Sequence, residues 1–213
     1  AFGKVRIMYP MISSLAELRQ ANILLERSRE ELRSANIPFD PAMQVGMMIE
    51  VPGAAMADVR ELPSGRAVVW LEVDGSHHKG ALSAAASQVI AAAADAARTK
   101  GLPLIGQFAS SGADILEGIA ALHGWGTAAK ALAECSGVVP TVSIVNGPAV
   151  SGPALLIGLA DFVVMTEQAY AFVSGPTMVA EFTGVVIDND ELGGPGTHAR
   201  QSGLPAMVVP ALI

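Results

Sequence analysis

The chain has 213 residues, of which 51% are hydrophobic, 15% charged and 5% aromatic, a composition that excludes a disordered chain and fits a packed α/β protein. Its net charge of −7 argues against a general nucleic-acid surface. That charge is uneven, because residues 1–66 carry eight basic and eight acidic side chains and residues 67–213 carry five and twelve, which suggests that two segments of different character are joined.

Cysteine content and hydropathy suggest where the protein works. Cys135 is the only cysteine and cannot form an internal disulfide, so a reducing compartment is the default. No uninterrupted apolar run reaches the roughly 18 residues of a membrane span, and the sequence opens with no basic-then-apolar signal peptide. We therefore expect a cytoplasmic protein.

The first segment has the pattern of a β-α-β unit. A short apolar strand is predicted at 4–8, a helix from the capping box Ser14 to Glu17 as far as Asn36, and a second strand at 44–50. Residues 51–66 contain several prolines and glycines and predict a short helix followed by a linker. We place the two domains at 1–62 and 63–213.

The second segment alternates predicted strands and helices. Strands are expected at 67–73, 102–108 and 141–145, and helices at 81–98 and 114–133. Its centre is 143–165, which predicts a buried strand, a Gly- and Pro-rich turn at 147–153, a short helix and another strand. An earlier turn at 110–113 repeats that layout.

Both turns offer a ligand little except their main chain. Small side chains leave the backbone N–H groups accessible, and a helix N-terminus favours an anion. Two such turns predict oxyanion holes rather than a side-chain catalytic triad.

Residues 3–58 resemble part of a known enzyme family. The sequences Val-Arg-Ile-Met-Tyr-Pro-Met-Ile at 5–12 and Val-Gly-Met-Met-Ile-Glu-Val-Pro-Gly-Ala-Ala at 45–55 look like the phosphoenolpyruvate-binding (β/α)₈ barrel of the first enzyme of the sugar phosphotransferase system. The resemblance implies that Arg6 contacts a phosphate and Glu50 ligates Mg²⁺. A surface Arg and a solvated Glu are the plainer interpretation. A whole barrel needs about 250 residues, so we expect a fragment without that activity.

Residues 66–204 resemble the carboxyltransferase subunits of biotin-dependent acyl-CoA carboxylases, which have a crotonase-like fold built as a ββα spiral. Eight short stretches occur in the family's order: Ser-Gly-Ala-Asp-Ile-Leu-Glu-Gly at 111–118, Ser-Gly-Val-Val-Pro at 136–140, Asn-Gly-Pro-Ala-Val-Ser-Gly at 146–152, Asp-Phe-Val-Val-Met at 161–165, Phe-Val-Ser-Gly-Pro at 172–176, Phe-Thr-Gly at 182–184, Glu-Leu-Gly-Gly at 191–194, and Thr-His at 197–198 with Ser-Gly at 202–203. Each stretch alone is weak evidence for the family, and the ordered set of eight is specific for it.

The resemblance implies a ping-pong transfer of a carboxyl group from carboxybiotin, held on a carrier protein, to the enolate of an acyl-CoA. It implies amide donors near four catalytic positions and a substrate role for four others. The catalytic positions are Gly112, Ala113, Ser151 and Gly152. The substrate-binding positions are Gly147, Ser174, Gly175 and His198.

The same resemblance implies partners. The family's active site lies between an N-terminal-type and a C-terminal-type domain, and this chain resembles only the first, so a second carboxyltransferase half or identical subunits are expected. Asp114 and Leu116 replace the usual Arg and Gln, and Ser151 precedes Gly152 where the family usually has two glycines. Two alternatives stay open: a phosphoenolpyruvate-dependent phosphotransferase fragment, and a non-catalytic assembly or engineered chimeric chain. The adjacent His77 and His78 are interpreted as a solvated turn, and no metal site is expected outside the Glu50 alternative.

Overall fold

The computed structural model describes residues 6–9, 15–41, 43–47, 55–76 and 78–211, and the chain divides into two compact units, Ala1–Pro52 and Gly53–Ile213. In the first unit, strand β1 (Arg6–Tyr9) pairs in parallel with β2 (Gln44–Met47), and helix α1 (Leu15–Ser34) connects them. The predicted strand, helix and parallel strand are thus present. Ser14 and Glu50 lie outside the described residues.

Seven strands of the second unit form one sheet within the described residues. They are β3 (Ala55–Glu61), β4 (Ala67–Val73), β5 (Leu104–Ser110), β6 (Thr141–Val150), β7 (Phe162–Thr166), β8 (Tyr170–Phe172) and β9 (Met207–Val209). The order is β3-β4-β5-β6-β7-β9, with β8 on the far end of β6. All these pairings are parallel except β3 with β4.

Helices connect the parallel strands, as parallel pairing requires. They are α2 (Ala84–Lys100), α3 (Ile119–Ala133), α4 (Gly152–Ile157), α5 (Pro176–Thr183), α6 (Asn189–Gly193) and α7 (Pro195–Thr197), with 3₁₀ turns at His78–Gly80 and Ile115–Glu117 and a π-helical turn at His198–Ser202. Within the described ranges, none of the helices is long and apolar enough to cross a membrane.

Local sequence explains the ends of α2. Ser83 Oγ accepts a hydrogen bond of 3.0 Å from the Ala86 N–H, and Gly101 closes the helix with a φ of +64°. The predicted helix was placed three residues too early, because Ala81 and Leu82 approach the turn at 110–114 instead: Leu82 forms a bridge with Ala113.

The core lies between one face of the sheet and helices α2 and α3. Alternate residues of β5 are buried, ending at Phe108 and Ser110. Helices α2 and α3 approach closely because Gly124 has no side chain, and a methyl group there would lie 3.0 Å from the Ser87 Cβ. Alanines fill the rest of the α2 face, which explains the alanine-rich composition of the second segment.

The prediction of a short helix and linker at 51–66 is wrong over its described part. Residues 55–61 form β3, an edge strand paired antiparallel with β4. Residues 62–66 form the hairpin turn, in which the Leu62 N–H donates to the Arg66 carbonyl at 2.9 Å and Gly65 has a φ of +78°. The strand has Asp58 and Arg60 among its exposed residues, and it is stabilised by the Arg60 guanidinium lying 4.9 Å from the centre of the Trp70 ring.

The hairpin also bears on the predicted domains at 1–62 and 63–213, which stay a prediction. A boundary after residue 62 would cut β3 from β4, whereas the structural division falls between Pro52 and Gly53, ahead of both strands. The sequence could not show this, because Pro63, Ser64 and Gly65 are equally typical of a linker and of a hairpin turn.

Candidate functional site

The two small-residue turns lie side by side at the carboxyl ends of β5 and β6. Ser110 at the end of β5 pairs with Ala149 near the end of β6. A methyl group built on Gly112 would lie 3.5 Å from the Val150 carbonyl oxygen and 3.7 Å from the Ser151 Cβ, so the turns are in contact. The predicted second turn is shorter than expected, because β6 continues as far as Val150 and the chain reverses at Ser151.

Hydrogen bonds to residues 79–82 hold the first turn in place. The buried Ser110 Oγ donates to the Gly80 carbonyl at 2.5 Å, and the Ser111 N–H donates to the Lys79 carbonyl at 2.9 Å. The Gly112 carbonyl accepts from the Leu82 N–H at 2.8 Å. Gly112 itself has a φ of +120°, a backbone conformation that favours glycine.

These contacts decide which amides of the first turn are available. The Gly112 N–H donates to the Ser110 Oγ in a long bond of 3.3 Å, so it is engaged within the turn. The Ala113 N–H has no acceptor within the described residues. It shares a planar trans peptide with the Gly112 carbonyl and therefore points away from Leu82. Ala113 is exposed, so this N–H is the available donor of the first turn.

The second turn has the same arrangement, and its available amide belongs to Gly152, one of the two predicted positions there. The Ser151 N–H donates to the Phe172 carbonyl at 2.9 Å, so β8 occupies this amide in the structure, and the catalytic role of Ser151 stays a prediction. The Ser151 carbonyl accepts from the Ala154 N–H at 3.1 Å inside α4. The Gly152 N–H of the same peptide points the opposite way, out of the helix end, and has no acceptor in the described part of the chain.

Packing explains why glycine stands at two of the predicted positions. A methyl group on Gly152 would lie 2.7 Å from both the Cδ1 and Nε1 atoms of Trp125, which projects from α3. A methyl group on Gly147 would lie 3.1 Å from the Ala109 Cβ, on the neighbouring strand β5. Both glycines therefore have structural reasons besides ligand approach.

The remaining predicted substrate residues lie after β8. Gly175 caps α5, and its carbonyl accepts from the Val179 N–H at 3.1 Å. Its φ of −75° is open to any residue, and a methyl group there would be 3.4 Å from the Phe172 ring. Ser174 is exposed. The geometry leaves the substrate roles of Ser174 and Gly175 as predictions.

Both ring nitrogens of His198 have partners within the chain, and its predicted substrate role stays a prediction. Its Nε2 lies 2.7 Å from the Ala171 carbonyl oxygen and its Nδ1 lies 2.7 Å from the Ser202 Oγ. A carbonyl only accepts, so Nε2 carries the proton toward Ala171. The ring is half-buried and joins the π-helical turn to β8.

Two acidic side chains near the turns, and the thiol of Cys135 away from them, have structural roles that the sequence did not reveal. The Asp114 Oδ1 accepts from the Leu116 N–H at 3.0 Å, and the Glu117 Oε2 accepts from the Ala84 N–H at 2.6 Å, capping α2. Burial raises the pKa of the Cys135 thiol, outweighing the opposing effect of Arg98. An unreactive thiol follows.

No group of three or more His, Cys, Asp or Glu side chains suited to a metal ion occurs in the described ranges. In the first unit, Arg6 is exposed on β1. Its predicted partner in the alternative function, Glu50, and His77 of the histidine pair lie outside those ranges. The phosphate and Mg²⁺ roles of Arg6 and Glu50 therefore remain predictions.

Contacts of three groups shape the site and were not predicted from the sequence. The groups are the Phe172 carbonyl, the Trp125 ring and the Ser110 hydroxyl. Each joins residues distant in sequence, so no local pattern could reveal it. The one local indication in the sequence was the glycine at position 80. In the structure Gly80 has a φ of +70° and belongs to a run of positive φ values with His78 and Lys79.

Comparisons with known protein families divide the chain in the same sense as its composition. The family described as "Carboxyl transferase domain" matches residues 44–211. The family described as "PEP-utilising enzyme, PEP-binding domain" matches residues 1–61.

Individual proteins are also similar to this chain. The propionyl-CoA carboxylase beta chain of Rhodococcus erythropolis is 31% identical over 83% of this chain and 37% of the relative. The mitochondrial propionyl-CoA carboxylase beta chain of Sus scrofa is 35% identical over 72% of this chain and 29% of the relative. The chain therefore spans about a third of the length of these relatives.

A solved structure extends the likeness to the fold. The transcarboxylase 12S structure, described as a hexamer with hydrolysed methylmalonyl-coenzyme A bound, superposes with a TM-score of 0.72 at 31% identity. The match covers 74% of this chain and 30% of that one. The expected crotonase-like α/β fold is thereby confirmed for the second unit.

Proposed function

The chain belongs to the carboxyl transferase domain family, and from that membership we propose that the unit Gly53–Ile213 is one half of a carboxyltransferase site. It would bind the acyl group of an acyl-CoA and stabilise negative charge on the thioester oxygen. The main-chain N–H groups of Ala113 and Gly152 are the proposed donors.

One observation carries this proposal. Two turns in contact each present an N–H that has no acceptor among the residues described by the structure, while the carbonyl of the same peptide is bound on the opposite side, by Leu82 in one turn and Ala154 in the other. Each peptide is thus fixed before a ligand arrives. Preorganised donors of this kind stabilise a developing oxyanion without reorganising, and removing one typically costs about 10²- to 10³-fold in rate.

The same donor set suits the groups that such a reaction uses. A thioester or enolate oxygen and the ureido oxygen of biotin are all hydrogen-bond acceptors, and the two free amides are donors. Biotin, when brought to the site on a carrier protein, would supply the carboxyl group. The residues of this chain would bind and orient the acyl-CoA oxygen, with Gly147, Ser174 and Gly175 as proposed contacts around it.

The proposed partners complete the site. The 213 residues span about a third of the length of the propionyl-CoA carboxylase beta chains, and a second carboxyltransferase half is the first proposed partner. The hexamer of transcarboxylase 12S is in keeping with an oligomer. A biotin carrier protein is the further proposed partner.

The test is calorimetric binding of acetyl-CoA and propionyl-CoA to the full chain and to two variants at one position. Ala113→Pro removes the N–H and Ala113→Ser keeps it, while both add atoms at an exposed site. We expect measurable binding by the parent chain and by Ala113→Ser. In Ala113→Pro the loss expected from one missing bond to a neutral acceptor is roughly 2- to 10-fold.

A transfer assay with labelled methylmalonyl-CoA and free biotin, in the presence of a second carboxyltransferase half, should show a larger effect of Ala113→Pro, about 10²-fold or more. Absence of acyl-CoA binding by the parent chain, or equal behaviour of the two variants, would remove the proposal. Phosphoenolpyruvate with Mg²⁺ is the second ligand to titrate. Binding of it alone would favour the alternative that rests on the match at 1–61 and on Arg6.

A further inference from the structure

The segment 193–202 is built around one carbonyl of β8. A methyl group on Gly193 would overlap the Ala171 carbonyl oxygen, so only glycine allows this approach. The His198 Nε2 lies 2.7 Å from the same oxygen. Ala171 is 2% exposed, so water does not replace this bond. The chain thus brings a backbone contact and an imidazole to a single buried acceptor.

The opposite edge of β8 holds the second turn. Ala171 and Phe172 pair with Ala149 and Val150 of β6. Successive carbonyls along a strand point to opposite edges. The Ala171 carbonyl therefore faces His198, and the Phe172 carbonyl faces β6, where it accepts the Ser151 N–H at 2.9 Å. His198 takes the place that the N–H of a further strand would occupy beside β8.

Ser151 needs this support because of its backbone. Its φ of +61° lies in the left-handed region, which is unfavourable for a residue with a side chain. The bond from its N–H to Phe172 fixes one side of the residue, and the bond from Ala154 to its carbonyl fixes the other. The Ser151 carbonyl and the Gly152 N–H belong to the same peptide, so the second of these bonds also sets the direction of the Gly152 N–H.

We propose that His198 is a positioning residue for the oxyanion site, acting through β8 on the Ser151–Gly152 peptide. This assignment depends on the proposed function for its catalytic meaning and on the contacts of Ala171 and Phe172 for its mechanism. The imidazole pins the Ala171 carbonyl, the short strand β8 stays in register with β6, and the Phe172 carbonyl keeps Ser151 in its left-handed conformation. His198 touches no reacting atom.

The experiment measures amide hydrogen exchange by NMR in the full chain, with and without propionyl-CoA. His198→Leu removes both ring bonds, whereas His198→Gln keeps a side-chain N–H able to reach Ala171. We expect the Ser151 amide to exchange roughly 3- to 10-fold faster in His198→Leu and to recover in His198→Gln. Amides of β4 and β5 should be unchanged. The exposed His123→Leu is the matched control and should alter none of them.

Two readouts separate this inference from the proposed function. Faster Ser151 exchange in His198→Leu with rescue by His198→Gln supports the positioning role, even if no variant binds propionyl-CoA, in which case only the proposed function fails. Unchanged Ser151 exchange in His198→Leu overturns the positioning role, even if binding is retained. If His198→Leu does not fold, Ser202→Ala removes the Nδ1 partner and leaves the Nε2 bond to Ala171, although it also removes the Ser202 Oγ bonds to the His198 carbonyl and the Leu204 N–H. Smaller but selective loosening of Ser151 is then expected, and uniform loosening of the whole sheet would contradict the inference.

Discussion

Replacing Gly152 with alanine tests the packing beneath the second turn. An ideal methyl group at this position would lie 2.7 Å from the Trp125 Cδ1 and Nε1 atoms, whereas carbon atoms in contact are normally separated by about 3.5 to 4.0 Å. The indole or the turn must therefore move by about 1 Å. Gly152 has no left-handed φ, so backbone strain adds nothing to this effect. Overpacking of this kind destabilises a protein by about 1 to 3 kcal/mol.

The assay is urea unfolding followed by circular dichroism at 222 nm, because fluorescence would change when Trp125 is replaced. A loss of about 1 to 3 kcal/mol should lower the midpoint by roughly 0.5 to 1.5 M at a slope of about 2 kcal/mol/M. Gly126→Ala is the matched control in α3, since a methyl group there meets nothing within 4 Å. It should be neutral or stabilise the chain by up to about 1 kcal/mol.

A double-mutant cycle identifies the group responsible. In a Trp125→Ala background the space beside Gly152 is open, so the second substitution should become nearly neutral, giving a coupling of about 1 to 2 kcal/mol. If Gly152→Ala destabilises both backgrounds equally, the clash is not with Trp125 and the packing argument fails.

Two further predictions concern positions away from the free amides. Gly80→Ala combines a φ of +70° with direct overlap of the Ala109 carbonyl, so it should destabilise the chain by about 3 kcal/mol or more. Gly101→Ala, with a φ of +64° and open space around it, should destabilise the chain by only about 1 kcal/mol. Equal losses of stability in urea unfolding would contradict the overlap at Gly80. Cys135 should react slowly with Ellman's reagent in the native chain and rapidly in urea, because burial raises its pKa and lowers the thiolate fraction. Since the pKa of this thiol is higher in the folded state, its contribution to stability is complete below its ordinary pKa and is lost as the pH rises through the raised value. Cys135→Ala should therefore flatten the decline of folding stability at alkaline pH. An unchanged profile of stability against pH would contradict this.

The alternation of helices and strands was predictable because it depends on local pattern. Residues 67–73 and 141–145 are apolar runs bounded by turn residues, and the structure confirms both as strands. Strand β3 was missed because Ala-Met-Ala-Asp-Val-Arg-Glu lacks a clear alternation, and its pairing with β4 supplies the stability that its own sequence does not.

The turns were also predictable as sites of exposed main chain, but the choice of amide was not. Local sequence shows that Ser151 and Gly152 follow a strand and open a helix. Which of their N–H groups is free depends on Phe172, which reaches Ser151 only because β8 returns to pair with β6. His198 was predicted near a ligand from its family position, and its actual contact with Ala171 depends on the same return of the chain.

The identity of residue 152 is weak evidence for catalysis, and this changes how the site should be tested. A side chain there would force the Trp125 ring or the turn to move, so packing favours glycine even in a chain with no activity at all. A weaker form of this effect applies at Gly147, where a methyl group would lie 3.1 Å from the Ala109 Cβ and would require a shift of a few tenths of an ångström. Evidence for function must come instead from atoms that packing does not require. The N–H of Ala113 is such an atom, because its residue is exposed and the fold makes no use of that donor within the described residues. Ala113→Pro against Ala113→Ser therefore distinguishes a working oxyanion hole from a well-packed turn, whereas substitutions of the glycines cannot.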